Sequence, residues 1–121
     1  MHILIVTKRA AKLAPFAEAL ARATGLALRY ADSWTDAMAV FRERGSGFAV
    51  LDEGMPEGAP LELARQAIQV NAAINLAVVS PLAAEAFHEA SEGLGILAAV
   101  PQSPAGADGA ALARMFTRFL P

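Results

Sequence analysis

The stretch Phe48-Ala49-Val50-Leu51-Asp52-Glu53-Gly54-Met55-Pro56 is four apolar residues ending on an acid, followed by Gly and Pro. That pattern predicts a short buried strand delivering Asp52 to its carboxyl end. In an open α/β sheet the carboxyl ends of the strands form the edge where ligands bind and chemistry happens. Asp52 is therefore the first candidate functional residue.

Working outward, the chain alternates between apolar runs and helical spacing. Ile3 to Val6 is a continuous apolar run, as expected of a strand covered on both faces. A helix is predicted from about Lys12 to Thr24, with Leu13, Phe16 and Leu20 on one face and Gly25 as its stop. Pro15 argues for a late start, so Thr7 to Ala11 is expected to be an exposed loop. Leu26 to Ala31 reads as a second strand. Ser33-Trp34-Thr35-Asp36 has the form of a capping box opening a second helix to about Arg44, ended by Gly45 and Gly47. Phe48 to Leu51 is the third strand, and Leu61 to Val70 the third helix. Leu76 to Val79 is the fourth strand, about Leu82 to Glu92 the fourth helix, and about Ile96 to Val100 the fifth strand. The last helix carries Leu112, Met115, Phe116 and Phe119 on one apolar face.

Five strands alternating with five helices predict a single α/β domain, a doubly wound five-stranded parallel sheet of flavodoxin-like (β/α)5 form with strand order 2-1-3-4-5. The carboxyl edge would gather Thr7, Lys8, Asp52, Ser80, Val100 and Pro101.

Composition narrows the function classes. The chain has 121 residues, 55% of them hydrophobic and 18% charged, which favours a well-buried fold over disorder. It has no cysteine, so disulfides, thiolate metal sites and a cysteine nucleophile are excluded. The start of the sequence lacks a basic leader and no apolar run reaches membrane-spanning length, so the expectation is a cytoplasmic protein with no membrane partner. Net charge is -2 and the basic residues are dispersed, so no nucleic-acid partner is expected. His2 and His88 have no partner at metal-ligand spacing.

Asp52 followed by Met55-Pro56, with Leu61-Glu62-Leu63 beyond, resembles the phosphoacceptor segment of bacterial response-regulator receiver domains (CheY-like). The opening Ile3-Leu4-Ile5-Val6, the ending Val78-Val79-Ser80, Gly93 and Val100-Pro101 extend the resemblance over essentially the whole chain. It implies Asp52 at the phosphoacceptor position, a hydroxyl at Ser80, and a non-enzymatic module of two-component phosphorelay signalling. Its partners would be a histidine kinase or an output protein, met through the fourth helix, fifth strand and fifth helix. Phe87, His88, Ala99 and Arg114 or Arg118 would lie on that face, and a homodimer could use it too.

The sequence departs from the family where the chemistry is densest. Thr7 and Lys8 stand in place of the acidic pair that holds a divalent cation. Val100 replaces the lysine before the proline, and the aromatic switch position falls on Leu97. One carboxylate is a poor magnesium site, because that cation takes several oxygen ligands in near-octahedral geometry. No cofactor is therefore expected, magnesium being the one the family would use. Glu53 would point to the opposite face if the strand continued. A lysine ammonium about 4 Å from Asp52 would attract it by roughly 4 kcal/mol at an effective dielectric near 20, so Lys8 is expected to pair with Asp52 in place of a metal.

The reading is a degenerate receiver, a pseudo-receiver acting through protein-protein contacts. One alternative is a working phosphoacceptor phosphorylated on Asp52. Another is an unrelated flavodoxin-like ligand-binding domain or enzyme. Plainer roles also fit each residue: Asp52 a strand-end carboxylate, Lys8 a solvated loop lysine, Ser80 a turn serine before Pro81, and Glu85, Glu89 and Glu92 a solvated face.

Overall fold

The computed structural model describes residues 1–43 and 47–120. The elements are β1 (His2–Val6), α1 (Ala10–Thr24), β2 (Ala27–Ala31), α2 (Trp34–Phe41), β3 (Phe48–Leu51), α3 (Pro60–Val70), β4 (Asn75–Val79), α4 (Ala84–Ala90), β5 (Ala98–Val100) and α5 (Gly106–Thr117). The five strands form one sheet in the order β2-β1-β3-β4-β5, with every pairing parallel. This is the predicted topology. The expected end of the second helix at Arg44 and its stop at Gly45 lie outside the described residues. Among the described residues no helix is long and apolar enough to cross a membrane.

Side chains of successive strand residues point to opposite faces. Leu4, Val6, Ala49, Leu51, Leu76 and Val78 meet Ala37, Val40 and Phe41 of α2, Leu63, Ala64 and Ala67 of α3, and Phe87 of α4. Ile3, Ile5, Phe48, Val50, Ala77, Val79 and Val100 meet Leu13, Phe16 and Leu20 of α1 and Leu112, Ala113 and Phe116 of α5. Both faces of the central strands are thus dry, as their unbroken apolar runs require.

Several boundaries differ from expectation, and α1, α4 and β5 differ for local reasons. α1 starts at Ala10, two residues before the predicted Lys12, and runs through Pro15, whose ring is exposed. The buried face of Leu13, Phe16, Ala17 and Leu20 holds the helix on either side of the missing N–H. α4 is cut to seven residues, and β5 to three, because Gly93 and Gly95 both take left-handed backbone between them. On α5 the buried stripe is Gly109, Leu112, Ala113 and Phe116, while Met115 is partly buried and Phe119 is 50% exposed. At the start of α2, Ser33 Oγ accepts the Asp36 N–H at 3.1 Å, the first half of the predicted capping box.

Candidate functional site

The site follows from strand parity. Val6 pairs with Leu51 in register, and the ladder runs one step further: Asp52 N–H donates to the Val6 carbonyl, and Thr7 N–H to the Ala31 carbonyl, both at 2.9 Å. Thr7 and Asp52 therefore continue β1 and β3 on the face that carries α1 and α5. Both are buried, 3% and 2% exposed. The same alternation turns Lys8 to the other face, where it is exposed.

The expected Lys8–Asp52 pair is not formed; Arg9 takes that place. As the residue preceding α1, Arg9 sits at the N-cap, and its N–H donates to Thr7 Oγ1 at 3.0 Å. Its guanidinium meets the carboxylate edge-on, Nε donating to Oδ2 and Nη2 to Oδ1, each at 2.8 Å. A planar fork of this kind matches a carboxylate in a way that an ammonium does not. Thr7 Oγ1 adds a second bond to Oδ2 at 2.7 Å, and the Glu53 N–H a second bond to Oδ1 at 2.8 Å. Each carboxylate oxygen thus accepts two hydrogen bonds, which fills the roughly four acceptor positions that an ionised carboxylate offers.

The Asp52 side chain is 0% exposed and that of Arg9 is 29% exposed, so the pair is closed to solvent from one side only. The hydrogen bonds to Asp52 raise the Arg9 pKa above its usual value, against a smaller opposing effect of burial. The guanidinium keeps its charge throughout the range in which proteins are handled.

The remaining edge residues take other roles. Ser80 Oγ accepts the Leu82 N–H at 3.1 Å, and Ser80 N–H donates to the Val100 carbonyl. Ser80 is therefore engaged in a serine turn before α4. Val100 is 3% exposed and belongs to the apolar cluster under α1 and α5, and Pro101 is exposed. Leu97 precedes β5 and is partly buried in the same cluster. β3 ends at Leu51, so Glu53 does not follow strand alternation, and its Oε1 accepts Gln102 Nε2 at 2.5 Å. Beyond it, Glu57 Oε2 accepts the Trp34 N–H at 2.7 Å, and the Trp34 indole covers Gly58. Phe87, expected on an outer surface, is 6% exposed and packs inward, whereas His88, Ala99, Arg114 and Arg118 are exposed.

Arg9 and Gln102 were therefore not identified from the sequence. The signal for Arg9 was available: period-two alternation places Thr7 with Asp52 and sends Lys8 away, leaving Arg9 as the next cation on the chain.

The sequence matches no family model, and no curated protein matches it. Solved structures match it closely in shape. A CheY-like response regulator receiver domain protein from Methanospirillum hungatei JF-1 superposes with a TM-score of 0.78 at 19% identity, covering 98% of this chain and 94% of the other. A response regulator from Thermotoga maritima gives 0.79 at 14% identity, with 97% of both chains covered. The chain has the receiver fold. A LuxR-family two-component response regulator from Aurantimonas sp. SI85-9A1 gives 0.80 at 18% identity, covering 98% of this chain and 85% of that one. Within the receiver fold, the site described above lies at the carboxyl edge of β1 and β3, with Asp52 one residue past the end of β3.

Proposed function

We propose that this chain is a pseudo-receiver: a non-enzymatic module of two-component-type signalling that acts through protein contacts, with Asp52 sealed by Arg9. The observation that carries the reading is the complete occupation of Asp52 by Thr7, Arg9 and the Glu53 N–H. An oxygen that accepts two strong hydrogen bonds has no free lone pair with which to attack a phosphoryl group. Magnesium does not fit these residues either. Its donor set here would be one saturated carboxylate between a threonine and an arginine, where the ion takes several free oxygens. The guanidinium supplies the positive charge as a fixed part of the fold.

The partner surface proposed is the outer face of α4, β5 and α5, with His88, Ala99, Arg114 and Arg118 exposed on it. A kinase, an output protein or a second copy of the chain are the candidates for that face, in a cytoplasmic setting.

The test is incubation with a small phosphodonor and magnesium, followed by intact-mass measurement of the native chain, Asp52→Ala and Arg9→Ala. The expected result is no stoichiometric phosphate adduct on the native chain. An adduct that forms on the native chain and vanishes in Asp52→Ala would overturn the sealed reading. It would favour a working phosphoacceptor, for which the placement of Asp52 at the carboxyl edge already speaks.

A further inference from the structure

The Arg9 guanidinium does more than hold Asp52. Its Nη2 also donates to the main-chain carbonyl of Gln102 at 2.7 Å, and the Gln102 side chain returns to Glu53 Oε1 at 2.5 Å. Glu53 in turn gives its N–H to Asp52 Oδ1. The result is a closed ring, Asp52 to Arg9 to Gln102 to Glu53 and back to Asp52, that joins the segments following β1, β3 and β5. Of residues 101–104 only Pro104 is buried. Among the described residues, the two bonds made by Gln102 are the hydrogen bonds that tie 101–103 to the rest of the molecule.

We infer that Glu53 and Gln102 are positioning residues that aim the Arg9 guanidinium at Asp52, and that the ring couples the seal on Asp52 to the segment 101–104. This inference rests on the sealed reading of Asp52. The Gln102 carbonyl fixes the plane of the guanidinium only while the Gln102 side chain is held, and Glu53 is what holds it. A bidentate bond is sensitive to that plane, so a free Gln102 lets the fork rotate off the carboxylate. Coupling of this kind is reciprocal by linkage. Freeing Asp52 loosens 101–104, and a protein that draws 101–103 away from the edge unseals Asp52.

The experiment uses the full chain, with two readouts by 15N NMR: solvent exchange of the Arg9 Nε–H, and amide exchange at Gln102 and Ser103. Glu53→Ala and Gln102→Ala are expected to speed Arg9 Nε–H exchange by about tenfold, the scale of one charge-assisted hydrogen bond. Glu53→Gln keeps the acceptor and is expected to restore exchange to near the native rate. Asp52→Asn is expected to speed amide exchange at 102 and 103. Should that variant fail to fold, Arg9→Ala reads the same segment from a partly exposed position. Unchanged Arg9 Nε–H exchange in Glu53→Ala overturns the positioning role, and unchanged amides in Asp52→Asn or Arg9→Ala overturn the coupling. The phosphate-adduct test fails separately: an adduct on the native chain rejects the seal while these exchange rates still report the ring.

Discussion

Asp52 and Arg9 make a charge pair with one side open, and that geometry sets its energetics. Removing one partner of a fully buried pair costs about 3–5 kcal/mol, because an uncompensated charge stays behind. Arg9 is 29% exposed, so water reaches part of the gap, and Arg9→Ala is expected to lower stability by about 2 kcal/mol. Lys8→Ala, at a solvated position, is expected to change it by less than about 0.5 kcal/mol. Urea unfolding of the two variants side by side separates the roles of adjacent cations. A titratable group lies at the far end of β1. Burial lowers the His2 pKa, with Arg29 and the N-terminal amine acting in the same direction and Glu43 opposing them, and His2 Nε2 is buried without a hydrogen-bond partner among the described residues. The folded chain therefore binds this proton more weakly than the unfolded chain does. Stability is full above the unfolded value of 6.5 and falls as pH drops below it toward the lowered folded value. Thermal melts of the native chain should lose midpoint temperature between pH 7 and pH 5 more steeply than those of His2→Gln.

Among the elements, α1 and α5 are set by one close approach. A Cβ at Gly109 would overlap the Phe16 carbonyl oxygen and lie 3.0 Å from the Leu20 nitrogen, both backbone atoms of α1 that cannot swing aside. Alanine in a helix normally gains about 1 kcal/mol over glycine. Overpacking against fixed backbone costs about 1–3 kcal/mol or more, so Gly109→Ala is expected to destabilise by about 2 kcal/mol net, measured by urea unfolding. The same contact explains what hydrophobic spacing did and did not convey about α5. Leu112 and Phe116 were legible as core because they repeat at helical period. Gly109 and Ala113 complete the buried stripe by being small, and a pattern of large apolar residues misses them while it recruits Phe119. At α1, Pro15 carried too much weight: a proline opposes a helix locally, but four buried residues on one face hold it. That two-residue error in the helix start is what hid Arg9, because it left 7–11 as loop with no assigned direction.

Across the whole molecule, the sheet order and both cores were legible because parallel strands covered on two faces write themselves as unbroken apolar runs. The edge was less so, since its chemistry depends on which way three segments turn after leaving the strands. Replacing edge residues by those of a metal-dependent receiver therefore has a specific expected outcome. Lys8→Asp with Val100→Lys leaves Arg9 on Asp52 and is expected to stay indifferent to magnesium. Adding Arg9→Ala together with Thr7→Asp, which puts a second carboxylate on the face of Asp52, is expected to produce a response at millimolar magnesium. Trp34 is the single tryptophan and rests on Gly58, in the segment that follows Asp52, so its fluorescence reads both titrations. A magnesium response in the double variant, with Arg9 intact, would show that the guanidinium leaves Asp52 readily.

α4 has seven residues, and Phe87 is the one it buries; its N-cap, Ala83, makes no side-chain bond. Little apolar surface holds such a helix down, which places it at the low end of local stability. It also carries Glu85 and Glu89, with Glu92 just beyond, all exposed. A glutamate-specific protease should therefore make its first cuts there. Because β1 to β4 precede that point, the early fragment would hold four of the five strands and lack the α5 helix that closes the face beneath Phe16, so one cut would expose the α1 side of the core to rapid digestion.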